Sequence, residues 1–594
     1  MATPFPWWYP VGGQLHEAGA AFRVWSDTHE SVSVVVEHRE HKLSRGGDGY
    51  FFGSVEGARE GDTYSFLIDG DGPFTDPASR FQPGGPHGPS QLVDPNRFAW
   101  TDAAWKGLKL HGQIIYELHI GTFSPDGTFR AAIDKLDHLA ALGVTALEIM
   151  PVSEFPGLRS WGYDGVLWYA PDSAYGRPED LKALIDEAHL RGLMVILDVV
   201  YNHFGPEGNF LGRYAPSFFT DAHTPWGSAI DYRVPEVRAF AIGNAISWLR
   251  DYRFDGLRLD AVNHILVEPG QISMLHDLSV AAGKLAAETG RQIHLVLENG
   301  DNRASLLDTM LDPPNGKYRA QWNDDYHHAW HVLLTGESQG YYGDYQRAPR
   351  GDLARALASG FVYQGETAAF WGGRLRGEPS GELSPMAFVN FLQNHDQVGN
   401  RAFGDRLESL AKPEAIEAAL TVTLLAPNVP MLFMGEEWGS KAPFPFFCDF
   451  KAGLADAVRK GRRAEYAWAY ARYRDEVPDP LDPATFKSAV LDWETRGQEA
   501  GQKRLALVTR LLMLRQKEIV PRLNGAVFGE AEAAESGLLS ASWRMGDGAA
   551  LHLIANLSGA AVARPSGESL GRPIWGGEPG TVLPPWSVFW RIGG

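Results

Sequence analysis

The chain has 594 residues, 44% of them apolar, a formal net charge of −19 and one cysteine, Cys448. That length can bury a large core and, at about 150 residues per domain, suggests several domains. The acidic balance excludes a nucleic-acid binder, which needs a basic face, and one cysteine excludes an internal disulfide and suits a reducing, cytoplasmic setting. No run of about 18 apolar residues is present to span a membrane. The start, MATPFPWWYPVGG, lacks a basic segment followed by an apolar one, so no signal peptide is expected.

Residues 20–70 read as short strands with turns: AAFRVWS and VSVVVEH alternate, GGDG turns, and DTYSFLIDG returns. A small antiparallel sandwich is expected over residues 1–95, of the carbohydrate-binding-module kind. The segment DGDGPFTDPASRFQPGGPHGPSQLVDP is rich in Gly and Pro and marks a boundary. From about residue 112 apolar strands alternate with helix-period segments. In order the strand candidates are IIYELHI (114–120), VTALEIMPV (144–152), LMVILDVV (193–200), GLRLDAV (256–262), IHLVLEN (293–299), AQWND (320–324), AFVNFLQNHD (387–396) and VPMLFMGEE (429–437). Between them AAIDKLDHLAALG and LKALIDEAHLRG carry helical spacing. Eight βα repeats predict an α/β chain with a closed (β/α)8 TIM barrel over 96–515, with a short insertion after strand three; an open doubly wound sheet is the alternative. LLSASWRM, ALHLIANL and WSVFWRI then predict a second β-sandwich over 516–594.

In parallel α/β barrels the site lies where the strands end. Strand three ends in Asp198, Asn202 and His203, strand four in Arg258 and Asp260 with His264 beyond, strand five in Glu298, and strand seven in Gln393, Asn394, His395 and Asp396. A single acid at a strand end is commonly a helix cap. Acids on several strand ends, with a same-face arginine and nearby histidines, point to chemistry. One reading is a divalent metal site. The other is glycoside cleavage, which in retaining enzymes pairs a nucleophilic carboxylate with an acid about 5 Å away. Arg258, two residues before Asp260 on one strand face, would hold Asp260 ionised. Glu298, with no arginine of its own, would stay protonated.

DVVYNH (198–203), GLRLDAVNH (256–264), LEN (297–299) and QNHD (393–396) together resemble, in order and placement, the four sequence regions of the α-amylase family of glycoside hydrolases. The resemblance implies Asp260 as nucleophile, Glu298 as general acid/base and Asp396 as the third acid. It implies Arg258 as the partner of Asp260, and His203, His395 and Tyr163 around the sugar at the cleavage point, with His264 beside them. Asp198 and Asn202 are implied as supports. NHDQVGNRAFGDRL, QWNDDYHHAWHVLLTGE and VPDPLDPATFKSAVLDW resemble the maltooligosyltrehalose trehalohydrolases within that family. That implies release of trehalose from maltooligosyltrehalose, leaving a shorter maltooligosaccharide, and a maltooligosyltrehalose synthase that makes the substrate. For the trehalose subsites the candidates are Trp322, Asn323, Asp324, Tyr326 and His327, with the aromatic loop PFPFFCDF (443–450). Alternatives from other classes are a branching transferase, against which Gln397 stands, a general amylase, and a binding protein built on an inactive barrel. No cofactor is implied. The insertion at 204–235 is short and lacks a cluster of spare carboxylates, so no metal is expected and a chelator is expected to leave activity intact.

Overall fold

A computed structural model describes residues 11–109, 112–224, 226–265, 273–308, 317–564 and 571–593. The N-terminal WWYP segment lies outside these. Eight parallel strands close into a barrel in chain order. They are β1 (Ile115–Leu118), β2 (Ala146–Ile149), β3 (Met194–Val199), β4 (Gly256–Leu259), β5 (His294–Leu297), β6 (Ala320–Trp322), β7 (Phe388–Phe391) and β8 (Val429–Phe433). Each falls within its expected segment. Every residue of these strands is buried, as β-strands covered by helices outside and packed side chains inside must be. A one-residue slip would reverse which side chains face the interior, so the ladder register sets the site. Asp198 pairs with Arg258, and Leu259 with Leu297, which leaves Asp260 and Glu298 as the next residues on neighbouring strands.

The segment AAIDKLDHLAALG forms two short helices, Phe129–Ile133 and Leu136–Leu142, instead of one. Lys135 N–H bonds back to Ala132 O at 3.0 Å, a tighter turn that interrupts the α-helical ladder.

Before the barrel, two antiparallel sheets share a core of Phe22, Val24, Val34, Phe51 and Phe66. Tyr214, from the insertion after β3, completes that core and donates to Thr75 O at 2.8 Å. After the barrel, a five-stranded antiparallel sheet over 527–593 packs on its outer helices. There Trp543 and Trp590 stack at 5.5 Å, and Trp590 Nε1 donates to Thr421 O at 3.3 Å. Among the described residues no helix is long and apolar enough to cross a membrane.

Candidate active site

A cavity of about 510 Å³ opens at the C-terminal ends of the barrel strands. Asp260, Glu298, Asp396, His203, His395, Tyr163, His264 and Asp324 line it. Arg258 lies fully buried just beneath. Its Nη1 donates to Asp198 Oδ2 at 2.5 Å and to Asp260 Oδ1 at 2.9 Å, while Nη2 donates to Glu298 Oε2 at 2.6 Å. The expectation that Glu298 has no arginine is therefore corrected: one guanidinium serves both carboxyls. Its planar fork presents donors in fixed directions, so Nη1 and Nη2 reach the two acids separately.

The two acids still differ. Burial pushes Glu298 up to about 7; Arg258 and the Ala261 N–H, 2.9 Å away, pull against it, and the neighbouring Asp260 carboxylate pushes with it. Burial also raises Asp260, but only to about 6, because Arg258 opposes it and Asn202 Nδ2 donates to Oδ2 at 2.8 Å. Asp260 is thus not held at an ordinary carboxylate value, as expected from its arginine, but it remains the stronger acid of the pair. Ala261 adopts a left-handed backbone (φ 40°), an uncommon conformation for a residue with a Cβ. That turn presents its N–H to Glu298 directly after Asp260.

Asp396 lies in the first turn of the short helix His395–Gly399 after β7, with its side chain about one-third exposed (32%) to the cavity. Asn400 Nδ2 donates to it at 3.0 Å, and burial by the surrounding walls raises it to about 6. His395 stacks on Tyr163 at 5.0 Å. Its Nδ1 lies 2.5 Å from Glu117 Oε1, and its backbone N–H donates to Glu117 Oε2 at 2.9 Å. Burial pushes Glu117 up to about 8 and His395 down to about 4. Both shifts favour a neutral pair, in which protonated Glu117 donates to Nδ1 and the His395 proton sits on Nε2, 3.5 Å from Asp396 Oδ1. Tyr163 donates to Asp198 Oδ2 at 2.6 Å. His203 holds Tyr163 O through Nε2 at 3.0 Å and contacts Asn202 through Nδ1. His264 meets the Trp226 ring edge-on at 5.0 Å.

Four of the strand-six candidates lie away from the cavity. Strand β6 is short and the helix Asp324–Thr335 begins at once, so helical phase selects the cavity face. Asp324 and, four residues on, His328 line the cavity. Asn323 caps the helix through Tyr326 N and donates to Asn390 Oδ1 at 2.9 Å. Tyr326 points outward to Thr423 Oγ1 at 2.8 Å, and His327 holds Leu392 O at 2.8 Å. Trp322 is buried behind Arg258, its ring centroid 4.0 Å from the guanidinium carbon. In the aromatic loop, Phe446 lines the cavity, whereas Phe444 and Phe447 are buried, Phe444 stacked on Trp161 at 5.3 Å.

Sequence reasoning missed several lining groups. Trp226, 44% exposed, comes from the hairpin Phe219–Ile230 and stacks on His203 at 4.9 Å. Phe370 and Trp371 come from the turn between the strands Glu366–Ala368 and Arg374–Arg376. Adjacent aromatics in a glycine-bounded turn, AAFWGG, were the available signal. Glu117, a charge inside an otherwise apolar strand, was the other.

The alpha amylase catalytic-domain model matches residues 92–217, and a domain of unknown function (DUF3459) matches 527–590. Malto-oligosyltrehalose trehalohydrolase of Deinococcus radiodurans is 42% identical over 523 residues, covering 87% of this chain and 83% of its own. The enzyme of the same name from Arthrobacter ramosus is 42% identical over 508 residues, covering 84% and 87%. A crystal structure from Salmonella typhimurium, described as an alpha amylase, superposes with a TM-score of 0.92 at 43% identity, covering 98% of this chain and 99% of that one. A branching enzyme of Leifsonia xyli matches only 44% of the chain, at 35% identity. Identity at this level across most of both chains shows that this chain belongs to the malto-oligosyltrehalose trehalohydrolase family, within the α-amylase family of (β/α)8 glycosidases.

Proposed function

We propose that the chain is a retaining glycosidase that hydrolyses the α-1,4-glucosidic bond next to the trehalose end of maltooligosyltrehalose and releases trehalose. Asp260 attacks the anomeric carbon as the carboxylate while Glu298 gives its proton to the departing oxygen of trehalose. A glycosyl ester on Asp260 results. Glu298, now ionised, takes a proton from water as the water attacks the same carbon, which frees Asp260 and releases the shortened maltooligosaccharide with its configuration retained. Asp396 and the Nε2–H of His395 hold hydroxyls of the sugar at the cleavage point, and Tyr163 covers one face of it.

The observation that carries this reading is the adjacency of Asp260 and Glu298 on one guanidinium, with the weaker acid at Glu298. Two carboxyls at neighbouring strand ends, both held by one guanidinium, fit the nucleophile and acid of a retaining enzyme. Asp324, Trp226, Phe370 and Trp371 are the candidates for holding the bent disaccharide. A maltooligosyltrehalose synthase supplies the substrate, and both act in the cytoplasm. Incubation with maltooligosyltrehalose and, separately, with maltooligosaccharide of the same length tests the proposal. Rapid trehalose release with slow attack on the unmodified oligosaccharide supports it. Equal cleavage of both points to a general amylase, and new branch points to a transferase; either result overturns it.

A further inference from the structure

If Glu298 protonates the leaving oxygen, as in the reading above, trehalose lies on the β5–β6 side of the cavity, near Gly300 and Trp371. The rest of the substrate runs the opposite way, past His395 and Asp396, toward the segment that follows β8. There Asn400, Phe446 and Arg462 form the cavity edge.

Tyr466 adjoins that edge through Arg462. Arg462 belongs to the helix Ala452–Glu465, whose one fully buried residue is Ala455. Its guanidinium carbon lies 5.2 Å from the Phe446 ring centroid and 4.6 Å from that of Tyr466. Hydrogen bonds to Gly399 O (3.4 Å) and Glu465 Oε2 (3.0 Å) hold it there. Phe403 meets Tyr473, at the end of the next helix, edge to face at 5.3 Å. The segment carrying Phe403 is tied to the catalytic one. Gly399 packs so closely on Trp161 that a Cβ there would come within 2.1 Å of the indole. Phe403, Phe446, Tyr466 and Tyr473 are each half-buried, neither core nor free.

An aromatic face left half open beside a cleft gains by covering an apolar ligand face, and the C–H face of a glucose ring is one. Arg462 adds planar donors at the height of the ring hydroxyls. We propose that Phe403, Phe446, Arg462, Tyr466 and Tyr473 form an extension of the cleft that binds the outer, non-reducing glucose units of long substrates. Chain-length preference then resides in this rim, apart from the reacting groups.

The test compares kcat/KM for trehalose release from maltotriosyltrehalose with that from maltohexaosyltrehalose, in the wild type and in Tyr466→Ala and Phe403→Ala. The wild type is expected to favour the longer substrate. Each variant is expected to lose roughly three- to tenfold of that preference, the worth of one aromatic contact. The change should fall in KM for the long substrate. A wild type without length preference, or variants that keep the wild-type ratio, overturns the proposal. If no trehalose is released at all, the hydrolase reading fails separately. The same variants compared on maltotriose and maltoheptaose then decide the rim by the same ratio.

Discussion

Asn202 is the side chain whose removal tests the acid split most directly. Its Nδ2 donates to Asp260 Oδ2 at 2.8 Å and to the Asp260 carbonyl at 3.0 Å, and it touches neither Glu298 nor the proposed leaving group. A hydrogen bond to a charged group contributes about 1.5–3 kcal/mol, so Asn202→Ala raises the Asp260 pKa by roughly one to two units. From about 6 that carries Asp260 to or past Glu298 at about 7. The active form needs Asp260 ionised and Glu298 protonated, so kcat/KM is bell-shaped, falling below the first value and above the second. At pH 5.5 the active fraction of the variant drops roughly 8- to 80-fold, while the peak drops only about threefold in the middle of that range and moves to higher pH. The assay is the pH profile of kcat/KM for trehalose release, wild type against variant. An acid limb that stays in place refutes the assignment of Asp260 to it.

Glu298→Gln removes the proton donor but leaves the hydroxyl contacts, so kcat is expected to fall by about 10² to 10⁴ and the alkaline limb to vanish, while calorimetry still shows oligosaccharide binding. Wild-type turnover in this variant would reassign the acid. Glu117→Gln keeps a donor toward His395 Nδ1 and an acceptor for its N–H, so near wild-type kcat is expected, whereas Glu117→Leu loses both and should lower kcat by about tenfold or more. Loss of activity in Glu117→Gln equal to that in Glu117→Leu would mean that Glu117 works as a carboxylate. His189, buried between Asp102 (2.6 Å) and Asp255 (2.9 Å), has a raised pKa because both aspartates favour its charged form, more than offsetting burial. Its contribution to stability is present in full below its unfolded pKa and fades as pH rises through the folded value. His189→Gln should therefore cost on the order of 3 kcal/mol at pH 6 and less at pH 9, read from denaturant midpoints, and an equal cost at both would exclude a charged His189.

What could be read from the sequence was whatever a few adjacent residues determine. Short apolar runs alternating with helix-period segments located all eight barrel strands. The polar residues at their ends placed Asp260, Glu298, Asp396, His203 and His395 around one cavity. Where the reading failed, the missing information was non-local. Arg258 looked like the partner of one acid because only that acid was near it in sequence; Glu298, 40 residues on, reaches it through barrel closure. Tyr326 and His327 were misplaced by a matter of phase: once the helix begins at Asp324, Asp324 and His328 face the cavity and the residues between do not. No local pattern states where that phase begins.

Glu117 sharpens the point. A charge in a barrel strand is costly unless its partner is near, and here the partner is 278 residues away. An isolated polar residue in an apolar run therefore announces that a partner exists without naming it. The strand ladder then narrows the choice, because β1 pairs with β8 and β8 with β7. An inward acid on β1 can reach only the few strand ends that close the barrel beside it, and His395 is the imidazole at the end of β7. The same reasoning applies to Arg258 and Asp260 at the end of β4. Arg258 and Asp260 share a strand face because a reacting carboxylate needs a fixed cation behind it, and the cation then serves every acid that closure brings within reach.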